Sequence, residues 1–541
     1  MFRRLAHVLA VFLFFGMFAE SPAQLITRSR TKRPNIVIFL ADDLGYSDLG
    51  CYGGEIFTPN IDRLANGGLR MTHFYNCGRS CPSRAALLTG LWPHQTGVGH
   101  MMTDYRKPGY RGNLNKDCAC IAEILQESGY QTFAAGVWHV TRFTAPAGPK
   151  HNWPLGRGFE KFYGTIAGAG SYFDPVTLCR GNQFLNRPEE GEYYYTDVVS
   201  DMAAQYVEQA AKSDKPFFLY VAYLAPHWPL HAPRHVVGRY RAKYAMGWDQ
   251  MRNDRYKRLI AKRIISVNWP LTPRDSRVRP WVQNTYKTWQ QHRMEVYAAQ
   301  VDMMDRGVGR VMEKIKQVAD ERNTLVMFLS DNGASEEEVS PQWKGEVVPT
   351  RTHAGGGVSV GNNPNVIPGP ENTYQSYGIA WANASNTPFR LYKRYVHEGG
   401  IATPFIAYWP GTITRPGQVD HQVAHVVDIV PTCLKIAKIR YPAVFKGYTL
   451  KPAAGKSLLP IFRGEKRQPY TLYWEHEGNK AMRDGKWKIV CKYPGSWELY
   501  DIVADRTEMK DLAPQFPIVV QELTENYEKW AKESNVEPWR K

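Results

Sequence analysis

At 541 residues, with 13% aromatic and 22% charged residues, the chain is too long for one small core and too aromatic to be mainly disordered. Its formal charge of +17 favours anionic partners, yet the sequence contains no zinc finger or basic zipper, so nucleic acid is not the expected partner. The densest basic stretch, Arg234 to Arg279, holds 13 Lys/Arg against three Asp and reads as a solvated surface insertion, with an anion-attracting field as the alternative.

Arg3 and Arg4 precede an apolar run from Leu5 to Phe18, and Ser21-Pro22-Ala23 supplies small residues at cleavage spacing. Residues 1–23 are therefore expected to be a secretory signal peptide, with maturation at Gln24 and a periplasmic or secreted product. The apolar run is too short for a transmembrane anchor and no later stretch reaches ~20 apolar residues, so no integral membrane segment is expected. Eight cysteines in so long a chain do not form a disulfide scaffold.

Short apolar runs then alternate with helical stretches, the mark of an α/β fold. Asn35 to Ala41 reads as a buried strand followed by Asp42 and Asp43. An amphipathic helix over Cys120 to Ser128 leads to a strand from Tyr130 to Gly136, followed by Trp138 and His139. The helix Val198 to Lys212 leads to a strand from Phe217 to Tyr223, and His227 comes after it. The helix Val296 to Val318 leads to a strand from Thr324 to Leu329, followed by Asp331 and Asn332. In parallel sheets, ligands bind beyond the carboxyl ends of the strands, so these four ends together point to one active site.

Beyond Arg463 the pattern changes. Leu472 to Glu475, Lys486 to Lys492 and Trp497 to Tyr500 read as short antiparallel strands, with Asp484-Gly485 as a hairpin turn. A closing helix carries Val519, Val520, Leu523, Tyr527 and Trp530 on one face. The expected fold is thus a large mixed, mostly parallel sheet flanked by helices (residues 24–465). A smaller carboxy-terminal α+β domain on an antiparallel sheet follows (466–541).

Asp42, Asp43, Asp331 and Asn332 make an all-oxygen donor set, which suits Ca²⁺ or Mg²⁺; zinc would recruit His or Cys. In Ser80-Cys81-Pro82-Ser83-Arg84-Ala85-Ala86-Leu87-Leu88-Thr89-Gly90, Pro82 suits a first helical turn and Gly90 a helix end. Ser80 is then placed just before a helix amino terminus, where free N–H groups attract anions, and Arg84 reaches back toward the same charge.

The segment from Ser80 to Arg84, followed by Leu88-Thr89-Gly90, resembles the signature of the formylglycine-dependent sulfatases of the alkaline phosphatase superfamily. Asp42-Asp43-Leu44-Gly45 and Ser330-Asp331-Asn332-Gly333 look like the two metal motifs of that family, Ala225-Pro226-His227 like its leaving-group segment. Lys393 is similar to its sulfate-binding lysine, five residues before Glu398-Gly399-Gly400. Pro370 to Ser376 resembles the arylsulfatase branch, and Arg483 to Lys488 the family's last domain.

The resemblance implies oxidation of Ser80, not Cys81, to formylglycine (3-oxoalanine) by a radical-SAM maturase of the serine-type bacterial subclass. It also implies a Ca²⁺ ion, with Mg²⁺ second, held by Asp42, Asp43, Ser80, Asp331 and Asn332. Arg84, His139, His227 and Lys393 would be catalytic, with His227 and Lys393 touching a sulfated carbohydrate or aryl sulfate. One departure stands out: the family pattern Gly-Lys-Trp-His reads Gly136-Val137-Trp138-His139 here. The alternatives are a phosphatase or phosphodiesterase using Ser80 directly, and a weakly active or inactive sulfated-glycan binder on account of Val137.

Overall fold

The computed structural model describes residues 32–186 and 192–539, so the expected signal peptide lies outside the described residues. From Arg33 onward the chain is organised around a ten-stranded sheet. Its central strands run, in spatial order, Thr324–Ser330, Asn35–Ala41, Phe217–Ala222 and Gln131–Val137. All three neighbouring pairs among them are parallel, so their carboxyl ends share one edge of the sheet. The strand residues are buried almost throughout, as expected for Val/Ile/Leu/Phe-rich strands covered on both faces. Helices Tyr195–Ala210 and Lys287–Val318 supply part of that cover.

The expected parallel core is thus present, and strands not foreseen in the sequence extend it. Phe405–Tyr408 is short and runs antiparallel to both its neighbours, Leu69–Tyr75 and Thr324–Ser330. Gln418–His425 is an edge strand, half exposed over most of its length, and so has no core-facing run to betray it. The long helix begins at Lys287, nine residues before the expected Val296. Its first turns are masked by Gln290, Gln291, His292 and Arg293; the buried Arg293 lies 4.2 Å over the Trp289 ring and donates to the Ser376 carbonyl at 2.7 Å.

The reading of Arg234 to Arg279 as a solvated insertion holds for most of its charges, eight of the 13 basic residues being exposed, but not for its aromatic and central part. Tyr244, Trp248, Arg252 and Arg255 are buried. Arg255 bonds Asp48 at 2.6 Å and Glu55 at 2.8 Å, while Trp248 packs edge-on against Trp281 and Trp381. Arg255 thus neutralises internal carboxylates, whereas Arg234, Arg241, Lys257, Lys262, Arg263 and Arg279 are exposed. All eight cysteines are free and buried.

Four antiparallel strands form the smaller sheet: Leu472–His476, Asn479–Asp484, Trp487–Cys491 and Glu498–Asp501. Asp484 pairs with Trp487 across the expected turn, and helix Pro517–Glu533 closes the unit with Leu523, Tyr527 and Trp530 buried.

A buried charge cluster ties this sheet to the large one. Lys488 lies 2.9 Å from Glu398 and 2.8 Å from Glu508, and Arg506 lies 2.8 Å from Glu398. Burial pushes the Glu398 carboxyl up, but Lys488 and Arg506 overcome it and hold it at about 2. With an unfolded value of ~4.3, this stabilisation is present above that pH and is lost as pH falls toward the folded value. Glu398→Gln is expected to destabilise the fold by about 3–5 kcal/mol in urea unfolding, because it strands buried cations. The gap between variant and parent should close between about pH 4 and 2; a constant gap would show that charge is not its cause.

Candidate active site

The parallel register brings four strand ends together. Ala41 lies opposite Ser330, and Ala222 lies opposite both Leu40 and Gly136. The loops leaving these ends deliver the buried Asp42, Asp43, Asp331, Asn332 and His227, and the partly exposed His139, to one place. Asp43 and His139 hold left-handed backbone conformations, φ 67° and 54°, which non-glycine residues rarely adopt and which tend to mark functional positions.

Ser80 is the first residue of helix Ser80–Thr89 rather than the residue before it. Gly90 terminates that helix in the left-handed conformation. Ser80 Oγ donates to Asp331 Oδ2 at 2.7 Å and accepts from Arg84 Nε at 2.9 Å. Arg84 is wholly buried and fully committed. It reaches Asp331 and Asp42 at 3.0 and 2.8 Å, and its third nitrogen donates to the Val137 carbonyl at 3.0 Å.

His139 Nδ1 sits 3.5 Å from Ser80 Oγ. Burial, reinforced by Arg84, holds this imidazole well below its usual range, so it is neutral. A methyl group on Gly168 would come within 1.9 Å of His139 Nδ1, which explains the glycine there.

The remaining wall carries Lys393 and His227. Lys393 Nζ donates to Asp43 Oδ2 at 3.0 Å and Glu337 Oε2 at 3.1 Å, and lies 3.3 Å from His227 Nε2. Burial opposes its charge, but Asp43 and Glu337 raise its affinity for a proton. His227 Nδ1 pairs with the Trp228 carbonyl at 2.6 Å, which assigns that nitrogen the proton and leaves Nε2 as an acceptor.

Every residue expected at the site is thus gathered within one network. Two members carry no signature: Glu337, which also accepts from Trp228 Nε1 at 2.9 Å, and Arg79, which pairs with Glu337 at 3.0 Å. The acidic run Glu336-Glu337-Glu338, shortly after Asp331, was the available signal for the first.

The donor set fits a hard cation. The carboxylates of Asp42 and Asp43 converge with the His227 ring, whose Nε2 lies 3.5 Å from Asp43, and among the described residues the buried atoms Asp42 Oδ1 and Asn332 Oδ1 have no hydrogen-bond partner. Burial, followed by the facing Asp331, pushes the Asp42 carboxyl well above the usual carboxylate range. That repulsion is what a bound cation would relieve.

Comparison with known proteins agrees with this construction. Residues 34–439 match the sulfatase family, and residues 389–533 match the carboxy-terminal region of N-sulphoglucosamine sulphohydrolase. An uncharacterized sulfatase of Schizosaccharomyces pombe is 31% identical, over 94% of this chain and 95% of its own. An arylsulfatase of Klebsiella aerogenes is 32% identical, over 80% of this chain and 93% of its own. The crystal structure of Ps i-CgsB with k-i-k-neocarrahexaose shares the fold, with a TM-score of 0.66 at 24% identity over 94% of this chain and 95% of that one. With a mostly parallel sheet whose strand ends meet an acidic, cation-suited centre, and a sequence match over most of its length, the chain belongs to the sulfatase family of sulfuric ester hydrolases, on the alkaline phosphatase-like fold.

Proposed function

We propose that the protein hydrolyses the sulfate ester of a sugar, or of an aryl alcohol, with a formylglycine made from Ser80 and a calcium ion held by Asp42, Asp43, Asp331 and Asn332. The observation that carries this reading is the setting of Ser80 Oγ, shared between Asp331, Arg84 and His139 at the start of a helix. Saccharide bound by a structural neighbour supports the sugar as substrate. Export to the periplasm or beyond, and maturation by a radical-SAM enzyme, belong to the same reading.

When present, the hydrated aldehyde would supply the nucleophile toward sulfur, and the cation would offset negative charge on the sulfate oxygens. The chain's own side chains do the rest. Arg84 cannot swing away from position 80, because its other nitrogens are engaged with Asp42, Asp331 and the Val137 carbonyl. The neutral His139 faces the oxygen at position 80 and acts there as general base. Across the site, protonated Lys393 gives a proton to the departing alcohol oxygen, either directly or through His227 Nε2.

Co-expressed with a serine-type maturase, the peptide containing Ser80 is expected to be ~2 Da lighter than encoded, from oxidation of its alcohol to the aldehyde that becomes the covalent catalyst. Mass loss at Cys81 would overturn the assignment. An intact Ser80 with phosphate-ester turnover would instead make the serine a direct nucleophile.

A further inference from the structure

A second polar cluster adjoins this centre and shares Arg79 with it, but supplies no group to the proton transfers above. Arg79 and Arg394, the chain neighbours of Ser80 and Lys393, both belong to it. The Arg394 amide donates to the Gly78 carbonyl at 2.6 Å, which holds the two segments together. Glu477, on the first turn of the smaller sheet, lies 3.4 Å from Arg394 Nε through one oxygen. Its other oxygen lies 3.3 Å from His100 Nε2 and 3.6 Å from His476 Nε2.

Both imidazoles are buried, His476 at 0% and His100 at 9% exposure; Nε2 of each meets only the Glu477 carboxylate, and Nδ1 of each has no hydrogen-bond partner among the described residues. Unpaired polar atoms of this kind are costly to bury, so a partner from outside the chain is expected. There is access for one: the side chains of Arg79, His100 and Glu477 keep 14%, 11% and 21% exposure.

His100, His476 and Glu477 bring ligand atoms within 4.8 Å of one another, as a metal site would, and the two rings stack at 5.1 Å with planes 14° apart. Against a metal ion as that partner stands Arg394, which brings positive charge to the carboxylate a cation would need. A carboxylate acceptor, imidazoles able to donate or accept, and guanidinium donors suit hydroxyl groups, each of which is donor and acceptor at once. Trp539 stacks on His100 at 4.9 Å and steadies the arrangement.

We propose that Arg79, His100, His476, Glu477 and Arg394 form the subsite for the alcohol part of the substrate, and that they select a sugar by hydrogen-bonding its ring hydroxyls. The proposal rests on the reading of Ser80 as the sulfate-transfer centre. It also ranks the substrates: a polyhydroxylated sugar sulfate engages the cluster, whereas a flat aryl sulfate leaves its nitrogens unpaired.

The test uses matured protein, a panel of sulfated hexoses and N-acetylhexosamines, and para-nitrophenyl sulfate. Glu477→Gln and His476→Ala should lower kcat/KM for the preferred sugar sulfate at least about fivefold more than for para-nitrophenyl sulfate, since unmade buried hydrogen bonds discriminate strongly. Equal losses on both substrates, or a parent that turns over aryl sulfates alone, would overturn the subsite while leaving the sulfatase reading intact. If the parent releases sulfate from nothing, that reading fails instead. Calorimetric binding of the same sugars to Ser80→Ala protein then decides the subsite independently. Weaker binding on adding Glu477→Gln supports it, and unchanged binding refutes it. A transition metal bound to the parent and lost in His476→Ala would also refute it.

Discussion

Asp331→Ala is expected to lower sulfate-ester turnover by about 10³-fold or more and to empty the cation site. One oxygen of Asp331 is the meeting point of Ser80 and Arg84, with contacts of 2.7, 3.0 and 3.1 Å; the other accepts the Asp43 amide at 3.3 Å. Its removal takes a carboxylate from the cation's donor set, and it also loosens the position-80 oxygen and the guanidinium that aligns it. Arg84 keeps only Asp42 as an ionic partner, so some loss of stability accompanies the loss of activity. Asp331→Asn separates the two effects, since it keeps the shape and one acceptor but removes the charge: it should fold normally and still bind the cation poorly. Elemental analysis and turnover on the same protein check this. Undiminished activity in strong chelator, or stoichiometric zinc in the parent, would defeat the calcium assignment.

How much of this was legible in the chain follows from where each residue gets its order. Asp42, Asp331, His139 and His227 follow apolar strands, and the register of a parallel sheet alone suffices to bring such ends together. Ser80 and Arg84 lie one helical turn apart, so their contact is local and readable. Glu337 and Arg79 are different, because each is placed by tertiary packing through partners distant in sequence. The strands Phe405–Tyr408 and Gln418–His425 were hidden for a related reason: one is too short to show a period, and the other is an edge strand with polar residues. The basic insertion misled in part because its charge is counted easily, whereas the burial of Arg255 depends on Asp48 and Glu55, some 200 residues earlier.

Val137→Lys is expected to raise sulfatase turnover by at least about tenfold, a cautious fraction of the ~10²–10³ that a charge-stabilising contact commonly supplies in a water-poor site. Val137 ends the strand Gln131–Val137, two residues before His139, and is 1% exposed. Its carbonyl already holds Arg84, so the backbone there is tied to the catalytic network while its side chain offers neither charge nor donor. Among the described residues, each cation of the site already holds another contact: Arg84 serves Asp42 and Asp331, Lys393 serves Asp43 and Glu337, and Arg79 serves Glu337. An ammonium at position 137 would add positive charge near the sulfate, and the Asp42 and Asp331 carboxylates limit the cost of burying it. Val137→Met serves as the steric control, with similar length and no charge. A gain for lysine alone, at unchanged metal content and thermal midpoint, identifies charge as the missing element. Equal gains would mean that pocket shape is responsible. An unchanged or lower rate for lysine would mean that Arg84 and Lys393 already balance the sulfate, and that the protein with valine at this position is a fully competent enzyme.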